Sequence, residues 1–241
     1  MSSITKKGYI IDYFDHNEND QIIKILFDDN TLTSLISVGS KKILSKNGRY
    51  ITLGSLHDFE FFQARSIERL SKLKKIHKID TKDATISESL PMVIMHYYLN
   101  KKSGELENNF FNFYDDVINY VIKQRYSDET IIIYILLNII NLEGIAFQLL
   151  NCGICNSKQV ITLSFKKMYG LCEKCAYEQH EFLYDKNFMR NIFWLIYKND
   201  YEVSTLESRK YISLIKGLAS AIYHNAGIYL EPVFSYLIKL K

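Results

Sequence analysis

The chain has 241 residues and a formal net charge of +3, long enough for two domains with real cores, so its cysteines are not needed to staple a minimal fold. The opening residues "MSSITKKGYIIDYFDHNEND" lack the apolar run and small-residue cleavage site of a secretory signal, which sets the cytoplasm as the expected compartment and makes structural disulfides unexpected. The longest apolar stretch, Thr130 to Leu150, is broken by Asn138, Asn141, Glu143 and Gln148 and falls short of the roughly 18 uninterrupted apolar residues of a membrane span, so no membrane role is expected.

In chain order, residues 7–14, 20–27 and 31–38 are short, rich in Ile, Tyr, Phe and Thr, and separated by Asn and Asp, which reads as three antiparallel strands. In "VGSKKILSKNGRYITLG", Asn47-Gly48 tolerates positive φ and marks a tight turn. Further strands are expected around "HDFEFF" and across residues 67–79, and five short strands in about 80 residues fit a small barrel such as an OB-fold. From residue 85 the period changes. In "ELENNFFNFYDDVINYVIKQ", Asn108, Asn112, Asp115, Asn119 and Lys123 form one polar stripe of a helix whose other face is core. Ser127–Leu150 repeats this with Tyr134, Asn138 and Asn141 as a thin polar edge. "DKNFMRNIFWLIYK" and the C-terminal segment read as helices, the latter interrupted near Asn225–Gly227 and at Pro232. With only 2 prolines and 10 glycines in the chain, helix is favoured. The expected class is therefore α+β: an OB-fold barrel over residues 1–80, then a helical domain over 81–241 with a cysteine module inserted at 150–180.

Charge is unevenly distributed. Residues 1–40 carry three lysines against six acids, whereas 41–78 carry ten basic residues against Asp58, Glu60 and Glu68, and 81–150 revert to five basic and nine acidic residues. A local excess of this kind suits a surface facing a polyanion, although a solvated lysine-rich face has the same composition. The candidate contacts to nucleic acid are Lys41, Lys42, Lys46, Arg49 and Tyr50 in the loop, with Arg69, Lys72, Lys74 and Lys75 on the last strand. Phe59, Phe61 and Phe62 nearby could stack on bases if they are not core.

The spacing Cys152-x2-Cys155-x16-Cys172-x2-Cys175 gathers all four cysteines of the chain. Each C-x2-C turn aims two sulfurs at one ion, and two turns complete the tetrahedral thiolate shell of a structural zinc site; a redox dithiol and an iron site are the alternatives. Gly153 and Gly170 suit tight turns. A closed shell leaves no position for an activated water. Ser55, His57 and Asp58 sit too close on one strand to form a relay, and Asp115 and Asp116 diverge on a helix. No phosphate-binding glycine loop, H-E-x-x-H or G-x-S-x-G occurs, so the chain does not read as an enzyme.

A basic strand-rich domain, a helical domain and a four-cysteine insertion resemble the RecO family of bacterial recombination mediators. The barrel resemblance rests on Gly8, Gly39, Lys41, Lys42 and Ser45; the cysteine region matches through Gly144, Phe165, Gly170 and Leu171, with Asn156 in place of a usual glycine. Glu231 and Pro232 depart from the family, which often has a basic residue and a serine there. The resemblance implies binding of single- and double-stranded DNA, annealing of complementary strands, and loading of RecA, together with RecR, onto strands coated by single-stranded DNA-binding protein. It also implies a zinc finger and a nucleoid-associated, cytoplasmic protein. The sequence leaves two other readings open: a zinc-ribbon OB-fold protein of RNA metabolism and a pure protein-interaction scaffold.

Overall fold

The computed structural model describes residues 3–66, 69–80, 87–106, 109–124, 126–198 and 208–239. Asn108, the first member of the expected polar stripe, and residues 67–68 at the start of the expected last strand lie outside these. Two compact units divide the chain, residues 1–125 and 126–241.

The first unit is built on β1 (Ile4–Asp15), β2 (Gln21–Phe27), β3 (Thr31–Ser37), β4 (Leu56–Phe62) and β5 (Ser71–Asp80). β1 pairs with both β2 and β4, β2 with β3 and β4 with β5, all antiparallel. A short parallel pairing, Leu35 to Ser71 and Ile36 to Lys72, joins β3 to β5 and closes the ring. The five expected strands thus form a closed OB-like barrel, which removes the open edges of a five-stranded sheet. β6 (Gly104–Glu105) adds a short antiparallel pairing outside β3.

Apolar residues at alternating positions fill the barrel. Ile10, Ile23, Ile25, Leu35, Phe59, Leu73 and Ile76 share one core with Phe27 and Phe61, whose rings stack at 5.5 Å. Of the two possibilities open for Phe59 and Phe61, base stacking or core, both rings take the core; Phe62 is half-buried.

α1 (Leu90–Asn100) and α2 (Phe110–Lys123) complete this unit. Phe113, Tyr114, Val117 and Ile118 of α2 are buried, and the Tyr114 ring lies 5.0 Å from that of Tyr9 on β1. Asn112 and Lys123 of the stripe are exposed, but Asp115 and Asn119 are half-buried: the Tyr9 hydroxyl donates to Asp115, and Asn119 donates to its other oxygen at 2.9 Å. Lys24 of β2 donates to the carbonyls of Leu99 and Lys102 at 3.0 and 2.9 Å, placing a cation at the C-terminal end of α1, where the helix dipole favours it.

In the second unit, α3 (Asp128–Leu142) is buried on nearly every side, with the Ser127 hydroxyl accepting from the Thr130 amide at its N-terminus. The helix ends at Leu142 rather than running to Leu150. Gly144 adopts a φ of +67°, and Gln148–Cys152 becomes strand β7. The apolar run 145–150 was ambiguous between helix and strand by periodicity alone. β8 (Thr162–Ser164), β9 (Tyr169–Leu171) and α4 (Glu173–Glu178) follow, the three strands in the order β7-β9-β8. α5 (Lys186–Lys198), α6 (Ser208–Ala226) and α7 (Glu231–Lys239) end the chain. The break between the last two falls where Asn225–Gly227 predicted it, and Pro232 occupies the first turn of α7 rather than interrupting it. α3 packs on α6 and α6 on α7. Among the described residues no helix is long and apolar enough to cross a membrane.

Candidate metal centre and nucleic-acid interface

The two cysteine pairs leave two neighbouring strands. β7 runs directly into Cys152, whose amide donates to the Ser157 carbonyl at 2.8 Å while its carbonyl accepts from the Asn156 amide at 2.9 Å. This closes a tight knuckle that requires a φ of +60° at Asn156, a conformation glycine adopts most cheaply and asparagine tolerates. β9 delivers Cys172 to the start of α4, where its carbonyl accepts from the Ala176 amide at 2.9 Å, and Cys175 follows one turn later. Gly153 and Gly170 serve close packing rather than positive φ: a β-carbon at Gly153 would fall 2.4 Å from the Tyr169 ring, and one at Gly170 would fall 2.5 Å from Val160.

All four cysteines are free, and their sulfurs lie within 4.8 Å of one another. Four thiolates about 2.3 Å from one tetrahedral ion stand roughly 3.8 Å apart, so the separation suits a shared cation. Cys152 and Cys175 are buried, Cys172 half-buried and Cys155 exposed. Burial raises the Cys152 thiol, but the amides of Cys155, Cys172 and Ile154 outweigh it and bring the group to about 6. Burial and the neighbouring sulfurs push Cys175 well up. One thiolate is thus readily held while the neighbouring sulfurs raise Cys155 and Cys175, which is the electrostatic condition a divalent cation relieves. The donor set fits a soft, four-coordinate metal with no vacant position.

The module is braced by its own unit. The Tyr197 hydroxyl on α5 accepts from the Leu149 amide at 3.1 Å and donates to the Phe147 carbonyl at 3.0 Å. Phe165, between the cysteine pairs, packs edge-on to Phe147 and Tyr184, and a β-carbon at Gly217 of α6 would fall 2.5 Å from its ring. Phe165 thus seats the module against its own unit.

The basic candidates lie on the barrel. Lys41, Lys42, Lys46 and Arg49 are exposed in the loop between β3 and β4, and Lys72, Lys74 and Lys75 are exposed on β5, with Arg69 just before it. The expected positive-φ turn at Asn47-Gly48 does not form. Asn47 has a φ of −89° and precedes one turn of 3-10 helix over Gly48–Tyr50. Gly48 is demanded by space, since a β-carbon there would sit 2.0 Å from the Ser40 carbonyl oxygen. The Asn47 side chain reaches β5, its Nδ2 donating to the Lys74 carbonyl at 3.3 Å and its Oδ1 accepting from the Ile76 amide at 3.1 Å. That clasp ties the basic loop to the strand that carries Lys72, Lys74 and Lys75.

Two of these cations are already paired. Lys41 meets Asp15 at 2.6 Å and Lys74 meets Glu60 at 2.6 Å, and their hydrogen bonds hold both carboxyls below the usual range. Arg49 lies over the Tyr50 ring at 4.7 Å and Lys74 over Phe62 at 5.7 Å. Tyr50 itself packs against the barrel core. Ser55 and His57, which the sequence already argued against as a relay, bond to backbone: Ser55 donates to the Thr52 carbonyl at 2.6 Å, and His57 Nε2 lies 3.1 Å from the Tyr50 carbonyl. Sequence reasoning did not single out Asn47's reach or the full exposure of Ile43 and Leu44 beside it. The first appears only on barrel closure, and the second runs against ordinary turn composition.

Residues 1–79 match the family model described as Recombination protein O N terminal. The chain is 27% identical to the DNA repair protein RecO of Mesoplasma florum, over 99% of this chain and 92% of that one. It is 28% identical to the DNA repair protein RecO of Mycoplasma mycoides subsp. mycoides SC, over 82% and 81%. Among solved structures, an Entamoeba histolytica asparaginyl-tRNA synthetase has a TM-score of 0.31 at 9% identity, covering 67% of this chain and 36% of that one, a likeness that carries no argument.

Proposed function

We propose that this chain, which belongs to the RecO family of DNA repair proteins, binds DNA through the basic face of its barrel and acts without covalent catalysis. The observation that carries this reading is the Asn47 clasp. It ties the loop that carries Lys42, Lys46 and Arg49 to β5, which carries Lys72 and Lys75, and these five make no ion pair among the described residues. A closed barrel with one basic flank is a surface that screens phosphates while leaving bases accessible.

Strand annealing follows from the same physics. Two complementary strands repel through their phosphates, and a protein that neutralises one backbone lowers that repulsion without any bond being made. Within this reading, the protein works with RecR to load RecA on DNA coated by single-stranded DNA-binding protein, in the cytoplasm at the nucleoid. The four cysteines hold one structural zinc ion that orders residues 150–180.

The test is binding of the full chain to matched single-stranded DNA and RNA oligonucleotides over a salt series. Affinity should fall steeply with salt, by about 0.7 log units per log unit of salt for each phosphate neutralised on a single strand. DNA should be bound at least as tightly as RNA, and annealing of complementary strands should accelerate. An RNA preference would transfer the same face to RNA metabolism. No binding in dilute salt would leave a protein scaffold instead.

A further inference from the structure

The corner of the β3–β4 loop breaks the usual rule of turn composition. The Ser45 amide donates to the Lys42 carbonyl at 2.8 Å, which makes Lys42–Ser45 a hydrogen-bonded β-turn with Ile43 and Leu44 at its two central positions. Such positions ordinarily hold Pro, Gly, Asn, Asp or Ser. Here they hold two aliphatic side chains exposed to 102% and 92%, the most exposed large apolar residues described in the chain. Single exposed apolar residues need no explanation, but two adjacent ones at the apex of a turn give up both turn propensity and apolar burial.

The turn is firmly mounted. On one side the Lys41 amide donates to the Asn19 carbonyl at 3.0 Å, and the Ser40 hydroxyl donates to the Ser37 carbonyl at 3.0 Å. On the other, the Ser45 hydroxyl accepts from the Gly48 amide at 3.1 Å, and Asn47 is fixed to β5. A loosely attached loop could fold its apolar tip back onto the barrel, whereas this one is held outward. Lys41 and Lys42 precede the tip and Lys46 follows it, and the strand to which Asn47 ties the loop carries exposed Lys72 and Lys75.

We infer that Ile43 and Leu44 form an apolar wedge that enters the base stack of the nucleic acid whose phosphates the flanking lysines hold. The inference rests on the DNA-binding reading above and adds how bases are engaged. Aliphatic side chains inserted between base steps unstack them, and unstacked bases are what pairing with an incoming strand requires. Charge complementarity selects the occupant: Lys42 and Lys46 bracket the tip, and the strand to which Asn47 ties the loop carries the further exposed cations Lys72 and Lys75, a spread of positive charge that suits a polyanionic chain. The wedge also supplies the contact to bases that buried Phe59 and Phe61 cannot.

The experiment uses the full chain and a single-stranded oligonucleotide carrying 2-aminopurine, whose fluorescence rises on unstacking. Wild-type binding should raise the signal. The Ile43→Ser/Leu44→Ser variant should keep the salt slope, lose most of the fluorescence rise and bind about tenfold more weakly. In Leu44→Trp, emission at saturating unlabelled oligonucleotide should be quenched beyond any change in the wild type. The wedge is overturned if the serine variant keeps both the fluorescence rise and wild-type affinity, or if the tryptophan emission at saturation is unchanged. It is also overturned if the serine variant loses only binding to phosphatidylglycerol vesicles. Salt-sensitive binding with no fluorescence rise would sink the wedge and leave the DNA-binding face standing; absence of binding by the wild type would remove both.

Discussion

Asn47 and Ile76 lie 29 positions apart and are joined by a hydrogen bond of 3.1 Å from the Ile76 backbone amide to the Asn47 side-chain oxygen, paired with a 3.3 Å bond from the Asn47 side-chain nitrogen Nδ2 to the Lys74 carbonyl. One side chain thereby pairs with the backbone of β5 as a neighbouring strand would. Asn47→Ala leaves that backbone stretch to water and frees the loop, which should cost about 1–2 kcal/mol for the two bonds. The urea midpoint should drop accordingly with the m-value unchanged. Oligonucleotide affinity should fall several-fold, because the loop that carries the cations is no longer tied to β5. An unchanged midpoint would show that the clasp does not order the loop.

Gly48 is a second constraint on the same loop. Its neighbour is a backbone oxygen, the Ser40 carbonyl, 2.0 Å from where a β-carbon would sit, so no side-chain rotation relieves a substitution. Gly48→Ala should destabilise the barrel by about 2 kcal/mol or more, in line with overpacking elsewhere, and thermal unfolding would register it. A melting temperature within a degree of the wild type would mean that the loop shifts freely.

The metal proposal makes a prediction confined to the second unit. Binding to a four-thiolate site supplies on the order of 10 kcal/mol to a small module, so chelation should melt residues 150–180. One zinc per chain should be found by elemental analysis, and Cys152→Ser should lower it. Amide hydrogen exchange should rise through β7, β8, β9 and α4 while the barrel amides stay protected. A protein with four fully reactive thiols and no stoichiometric metal would rule the site out.

What the sequence revealed was what is local. The five strands showed themselves because Ile, Tyr and Phe alternate between turn residues, and the cysteine pairs because ligand spacing is a short-range signal. Residues 143–150 misled because an apolar run of that length fits a buried strand as well as a helix end, and Gly144 alone marked the stop. Phe59 and Phe61 could not be placed without the closing pairs Leu35–Ser71 and Ile36–Lys72, which decide what is inside the barrel. Asn47 read as a turn former by composition, while its partners at Lys74 and Ile76 exist only after closure. The polar stripe of α2 was correctly periodic, yet Asp115 faces Tyr9 rather than water.

Charge reversal tests the nucleic-acid face directly. Changing Lys41, Lys42, Lys46 and Arg49 together to Glu should abolish measurable oligonucleotide binding in dilute salt, while far-ultraviolet circular dichroism stays as in the wild type because all four are exposed. Neutralising them to Gln should reduce the log–log salt slope by about 2, somewhat less than four phosphates' worth, because Lys41 is already paired with Asp15. Untouched affinity after the reversal would show that the loop is not the binding face.

The first unit should also lose stability in mild acid through His96. This residue of α1 is buried, its Nε2 lies 2.7 Å from the Tyr114 hydroxyl, and burial depresses its pKa from 6.5 to about 4. The tyrosine donates to the neutral ring, since burial drives Tyr114 ionisation well above its ordinary range. The folded pKa lies below the unfolded one, so between about 6.5 and 4 the unfolded chain binds a proton that the folded chain does not. Stability from this group is fully present above 6.5, declines as pH falls and levels off below 4, for a total of about 3 kcal/mol. Asp15, Asp20 and Glu60, lowered by their hydrogen bonds, act in a more acidic window. In His96→Gln, which keeps an acceptor for Tyr114, the slope of unfolding free energy between pH 6.5 and 4 should flatten by up to about 1.4 kcal/mol per pH unit, one proton per unfolding event. Equal slopes in wild type and variant would mean that His96 titrates in the folded state as it does in the unfolded chain.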